Sequence, residues 1–170
     1  GVIHRDIKPA NVMLGPFGET LVVDWGLARV LSEPEELTPG EPAISVDPGD
    51  TGQTRVGAVM GTPTYMSPEQ ARGEEAASDP RSDVWSLGVI LYEILTGGPP
   101  FSGGLESVLE QVRRARVVPI ERISPHAPPE LVAIAHKALA PVQGLRYPHA
   151  GALAAEVQAW DYLLCQAWYT

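Results

Sequence analysis

His4-Arg5-Asp6-Ile7-Lys8-Pro9-Ala10-Asn11 and, thirteen positions after Asn11, Asp24-Trp25-Gly26 are the two short blocks around which this 170-residue chain is organised. Together they offer an acid (Asp6), a cation (Lys8), a neutral amide oxygen (Asn11) and a second acid (Asp24), each in a segment bracketed by apolar residues. Hard oxygen donors of this kind suit magnesium, which takes one or two carboxylates from protein and completes its shell with water and substrate phosphates. On that reading Asn11 and Asp24 are candidate metal ligands, Lys8 offsets phosphate charge and Asp6 accepts a hydroxyl proton. The two blocks can also be brought together. Val12-Met13-Leu14 and Leu21-Val22-Val23 are short, partly β-branched runs separated by Gly15-Pro16-Phe17-Gly18-Glu19-Thr20, a pattern that predicts a hairpin setting Asn11 beside Asp24.

The order H-R-D-x-K-P-x-N followed by D-x-G resembles the catalytic and magnesium loops of eukaryotic-like protein kinases, most of all the bacterial serine/threonine branch. The resemblance implies Asp6 as catalytic base, Lys8 on the transferring phosphate, Asn11 and Asp24 on magnesium, and supporting roles for His4 and Arg5. The implied cofactors are ATP and Mg²⁺, and the implied substrate is a protein serine or threonine hydroxyl. Trp25 stands where the family usually has phenylalanine, and it is expected to pack as an apolar plug under the site, with an indole N–H that needs a partner if buried.

Composition fits one globular domain. The chain is 44% hydrophobic and 19% charged, enough to bury a core. Its net charge of −9 argues against a nucleic-acid surface, which needs clustered Lys and Arg. Only Arg113, Arg114 and Arg116 cluster, and they are read as a solvated helix face. Cys165 is the single cysteine, so no internal disulfide can form. The longest apolar stretch, Val84 to Leu95, is interrupted by Ser86 and Glu93 and is too short to span a bilayer. A cytoplasmic address is expected, including that of the cytoplasmic part of a membrane-anchored protein.

After Gly26 the composition turns to Pro, Gly, Glu, Asp, Ser and Thr, predicting a long flexible loop over 27–60. Gly61-Thr62-Pro63-Thr64-Tyr65-Met66-Ser67-Pro68-Glu69 follows. In the family this block closes the activation segment. Ser67-Pro68-Glu69 stands where the pattern has Ala-Pro-Glu, and Thr62 matches the threonine set against the base and the lysine. Between Gly26 and Gly61 six acids face only Arg29 and Arg55, so an added phosphate would be repelled unless arginines met it. Arg5 matches the family's phosphate-gathering arginine. Thr54 is the first candidate phosphorylation site and Thr51 the second; both also read as ordinary loop residues.

Ser82 to Thr96 is the strongest predicted helix. Ser82 and Asp83 supply a cap and a favourable charge, Gly97-Gly98-Pro99-Pro100 stops it, and apolar residues cover nearly all its faces, so it must be buried. It resembles the central helix of the kinase large lobe, in which Asp83 would hold the catalytic-loop backbone. Leu105, Val108, Leu109 and Val112 keep helical spacing, as do Leu131, Ile134, Ala135 and Ala138. A last helix over His149 to Ala167 carries the core stripe Leu153, Val157, Trp160 and Leu164. His126, His136 and His149 have no metal-ligand spacing around them. Arg146 matches the family's late arginine, which pairs with the glutamate assigned to Glu69.

The expected fold is therefore mainly α: a protein-kinase-like large lobe, partial kinase domain over 1–170, with a small β-hairpin at the catalytic loop. A glycine-rich phosphate loop and the strand lysine are family requirements that do not occur in it. Its only lysines are Lys8 and Lys137, and G-x-G-x-x-G is absent. The small lobe is expected elsewhere in the natural chain. Two functions stay open, a catalytic segment of an active serine/threonine kinase and a non-enzymatic, kinase-derived interaction module. The 170 residues alone are expected to fold marginally and not to phosphorylate anything.

Overall fold

The computed structural model describes residues 1–31, 63–74 and 79–168, with side chains described up to residue 162. The architecture is mainly α, with two small two-stranded sheets at the N-terminal end. Strand β1 (Val2–Ile3) pairs antiparallel with β4 (Arg29–Val30), and β2 (Val12–Leu14) pairs antiparallel with β3 (Thr20–Val22). Helices α1 (Pro68–Ala71), α2 (Pro80–Thr96), α3 (Leu105–Arg113), α4 (Ile120–Ile123), α5 (Pro129–Ala138) and α6 (Ala150–Trp168) follow.

The hairpin forms in the expected place, with Val12 opposite Val22 and Leu14 opposite Thr20. Its turn closes through Gly15 N–H donating to Glu19 O (2.8 Å) and Gly18 N–H donating to Gly15 O (3.2 Å), with Gly18 at φ +87°. A side chain there would be strained, which is the reason for a glycine. Arg29–Val30, at the start of the stretch read as loop, are strand residues, because their backbone meets the edge of β1. Residues 32–62 lie outside the described residues.

Helix α2 organises everything else. It begins earlier than expected, capped by Asp79, whose Oδ1 accepts from Arg81 N–H (2.7 Å), with Pro80 at the first helical position. Proline needs no N–H partner there and its φ is already helical, so Asp79-Pro80 is the better start signal than Ser82-Asp83. Gly97, at φ +80°, ends the helix by donating to Glu93 O (2.8 Å). One face of α2 (Trp85, Val89, Tyr92) packs with Phe101, Val108, Leu109, Val112, Ile120 and Val132. Another (Val84 with the partly buried Leu87, Leu91 and Leu95) packs with Leu131, Ile134, Ala138, Tyr147 and Leu153. The helix is not apolar-buried all round: Ile94 is exposed. On α3, Val108, Leu109 and Val112 are buried while Leu105, expected in the same stripe, is exposed at the first turn.

Gly88 sits where α2 crosses α5. A Cβ added there would lie 2.8 Å from Ala138 Cβ and 3.1 Å from Leu139 Cγ, closer than packed carbons tolerate. Gly88→Ala is therefore expected to destabilise the chain by about 1–3 kcal/mol, the ordinary cost of overpacking, despite a gain of roughly 0.8–1.0 kcal/mol in helix propensity. Urea unfolding checks this; a variant at least as stable as the parent would mean that α5 shifts aside at no cost.

Candidate active site

The segment His4 to Asn11 leaves β1 and is held from three sides. From below, Asp83 in the first turn of α2 accepts two backbone hydrogen bonds, His4 N–H to Oδ2 (2.8 Å) and Arg5 N–H to Oδ1 (2.9 Å). A carboxylate taking two backbone N–H groups makes charge-assisted bonds, roughly twice as strong as neutral ones. Arg5 takes φ +70°, uncommon for a residue with a Cβ. That turn reverses the chain, so the Asp6 side chain enters the same small volume as Lys8 and Asn11.

Within the loop, Lys8 Nζ lies 2.6 Å from Asp6 Oδ2. Asn11, at the end of the 3₁₀ turn Pro9–Asn11, donates from Nδ2 to Asp6 O (2.9 Å) and to Asp6 Oδ2 (3.2 Å). Asp6, Asn11 and His4 are all buried. Asp6 N–H donates to His4 Nδ1 (3.3 Å), so that nitrogen is the acceptor and His4 Nε2 carries the hydrogen that reaches Val23 O (3.0 Å). Val23 is thereby tied twice, since its own N–H donates to Asn11 O (2.9 Å). The residue after it is Asp24, in the left-handed region at φ +63° with its side chain exposed.

The donor chemistry fits a magnesium ion with phosphate. Committing Asn11 Nδ2 to Asp6 leaves the amide oxygen as the remaining donor atom for a hard cation, and Asp24 contributes one carboxylate. Among the described residues no cluster of three or more His, Cys, Asp and Glu side chains could hold a metal by itself. A two-ligand oxygen set fits the magnesium habit of drawing its remaining ligands from water and phosphate.

Trp25 does not plug the site. It is 53% exposed; its indole N–H donates to Val22 O (3.0 Å) and its ring leans on His4 (centroids 4.7 Å apart, tilted 57°). The left-handed turn at Asp24 folds the tryptophan back on the end of the hairpin instead of inward.

A second polar cluster lies under the first. Arg146 donates from Nη1 to Glu69 Oε1 (2.8 Å) and from Nη2 to Glu69 Oε2 (3.0 Å), a bidentate pair in which both residues are buried. Ser82 Oγ donates to Glu69 Oε1 (2.9 Å), Arg146 Nε to Ala140 O (2.9 Å) and Nη1 to Arg81 O (3.1 Å), while the guanidinium lies 4.9 Å from the Trp85 ring centroid. Burial alone would raise the Glu69 carboxyl; the Arg146 hydrogen bonds and charge, with the Ser82 hydroxyl, outweigh it and hold the group below its ordinary 4.5. Ser82 and Asp83, one turn of α2, thus serve the two clusters side by side.

The block 63–70 docks on α2 and on the loop. Ser86 Oγ donates to Tyr65 O (2.9 Å), and Tyr65 Oη donates to Glu93 Oε2 (2.7 Å). Burial, then the Glu93 hydrogen bond and charge, push the Tyr65 phenol up to about 12. Ser67 caps α1 in a capping box with Gln70. Of the residues singled out from sequence, Thr51, Thr54 and Thr62 lie outside the described residues. Gln70 was not singled out, yet it touches the loop directly; the S-x-x-Q spacing of Ser67 and Gln70 was the available signal. Among the described helices none is long and apolar enough to cross a membrane.

The chain is 44% identical over 160 residues to serine/threonine-protein kinase PknB of Mycolicibacterium smegmatis, an alignment covering 92% of this chain and 23% of that protein. It is 40% identical over 158 residues to the PknB of Mycobacterium tuberculosis (92% and 22%), and 39% identical over 163 residues to a serine/threonine-protein kinase of Streptomyces coelicolor (94% and 21%). The chain thus spans less than a quarter of the length of the curated relatives it matches. A family model described as protein kinase domain matches residues 1–150. The chain belongs to the protein kinase domain family.

Proposed function

We propose that these residues are the large, catalytic lobe of a serine/threonine protein kinase, transferring the terminal phosphoryl group of ATP to protein hydroxyls. The observation that carries the reading is the convergence of Lys8 Nζ (2.6 Å) and Asn11 Nδ2 (3.2 Å) on Oδ2 of the buried Asp6, in a loop whose backbone is clamped by Asp83. Asp6 accepts the substrate hydroxyl proton as the oxygen attacks. Lys8 keeps a positive charge beside that carboxylate, where the charge of the transferred group must also be met. Asn11 and Asp24 would hold magnesium, which when bound would offset the phosphate charge. The Asp6–Lys8–Asn11 contacts mean that little reorganisation is needed when substrate arrives, and preorganised groups are the main source of catalysis in phosphoryl transfer.

Thr62 would contact Asp6 and Lys8, and phosphate on Thr54 or Thr51 would be met by Arg5. A small lobe, supplied outside these 170 residues, would cover the nucleotide; the absence of a G-x-G-x-x-G and of a lysine beyond Lys8 and Lys137 supports that division of labour. Dependence on ATP would favour a cytoplasmic address, including that of the cytoplasmic part of a membrane-anchored protein. Incubating the full-length natural protein with Mg-ATP and a serine/threonine peptide tests the reading: phosphoserine or phosphothreonine is expected. A full-length protein that binds Mg-ATP but transfers nothing would instead favour an interaction module.

A further inference from the structure

We infer that Gln70 is a positioning residue for the base: its side-chain amide links the cap of α1 to the peptide unit on which Asp6 is mounted. The inference rests on the kinase reading for its kinetic consequence, but its geometry stands apart from it. Gln70 Nε2 donates to Arg5 O (2.8 Å) across 65 positions of sequence. Gln70 Oε1 meanwhile accepts from Ser67 N–H (3.0 Å) and Ser67 Oγ (3.0 Å), and Gln70 N–H donates to Ser67 Oγ (3.4 Å). Two donors on the oxygen fix which end of the amide faces Ser67, so the NH₂ end must face the loop.

The bond falls at the most demanding point of the loop. Arg5 sits at φ +70°, a conformation uncommon for a residue with a Cβ and kept only where its surroundings hold it. Asp83 holds its N–H and Gln70 its carbonyl. The same peptide unit continues into Asp6 N–H, which donates to His4 Nδ1. The plane carrying the base is therefore set at one edge by α1 and at the other by the catalytic loop itself. Rotation of that plane moves the Asp6 carboxylate relative to Lys8 and Asn11, and a misplacement near 1 Å can cost about 10²-fold in rate. Because the oxygen end of Gln70 depends on Ser67, the segment that ends in Ser67 is coupled to the base through one side chain.

Gln70→Glu separates the two jobs. Glutamate is the usual partner of a capping serine three residues back and keeps the helix cap, but a carboxylate oxygen cannot donate to Arg5 O. In the full-length protein, Gln70→Glu is expected to lower kcat by about 10- to 100-fold, with KM for ATP and for peptide changed less than threefold, a melt that stays cooperative, and faster amide hydrogen exchange at Arg5 and Asp6 but not in α1. Gln70→Met, neutral and of similar size, is expected to show the same loss of kcat. A kcat within twofold of wild type would overturn the inference, as would unchanged exchange at Asp6. Failure of both variants to fold would make Gln70 structural and overturn it too. If the wild-type protein transfers no phosphate, the kinase reading fails by itself, and the exchange at Asp6 alone decides whether Gln70 holds the loop.

Discussion

Asp6→Asn in the full-length protein is expected to lower the rate of phosphoryl transfer by about 10²–10⁴-fold, the contribution of a positioned general base, while leaving Mg-nucleotide affinity within a few-fold of wild type. The substitution keeps the shape of the side chain and the Asn11 Nδ2 bond to the Asp6 carbonyl oxygen, which is backbone and survives the change. What it removes is the charged partner of Lys8 at 2.6 Å and the acceptor for the substrate proton. Nucleotide binding survives because the assigned magnesium donors, Asn11 and Asp24, are other residues. Rapid-quench kinetics beside a calorimetric titration separates the two quantities. Equal losses of rate and affinity would mean that Asp6 binds nucleotide instead of activating the hydroxyl.

Arg146→Met is expected to destabilise the protein by about 3–5 kcal/mol, the usual result of leaving one member of a buried pair without its partner. Two observations place the effect at the upper part of that range: Arg146 makes two bonds to Glu69 and two more to the carbonyls of Arg81 and Ala140, and its side chain is fully enclosed. With the guanidinium gone, Glu69 keeps its neutral partner Ser82 and a backbone hydrogen bond, but no positive charge beside it. Denaturant unfolding at neutral pH measures the loss, and a change below about 1 kcal/mol, as for a surface pair, would contradict this description. Acid gives a second check. Because Glu69 is held below its ordinary 4.5 when folded, its contribution is complete at neutral pH and is lost as the pH falls through the depressed folded value. The gap in stability between the parent protein and Arg146→Met should therefore narrow as the pH falls below 4.5.

Local pattern explains what could be read in advance. The hairpin was legible because two short apolar runs flank a turn rich in Gly and Pro, and pairing Val12 with Val22 brings Val23 opposite Asn11. The long apolar run of α2 was legible for the same reason, although its true cap, Asp79-Pro80, lay just outside the stretch that looked helical. Three features were not legible. Trp25 follows a left-handed residue, and nothing in a D-W-G triplet states which way the chain turns. Gly88 reads as one more small residue in a helix until α5 is laid across it. Gln70 reads only as half of a capping box, since its reach to Arg5 joins segments 65 positions apart. Periodicity reports the neighbours of a residue along one element; it carries no information on which polar side chain will meet a remote carbonyl.

The central claim is that Asp6 and Lys8 act as one unit on the same transferring group, and a double-mutant cycle tests it most directly. Single-turnover transfer rates would be measured for the full-length wild type, Asp6→Asn, Lys8→Met and the double variant. Groups that act together lose their effects together, so the second substitution costs little once the first is made. The account predicts that the double variant falls no more than about tenfold below the slower single variant. Losses that multiply, so that the double variant shows the product of the two single effects, would mean that the contact between Lys8 Nζ and Asp6 Oδ2 does not belong to a shared catalytic centre.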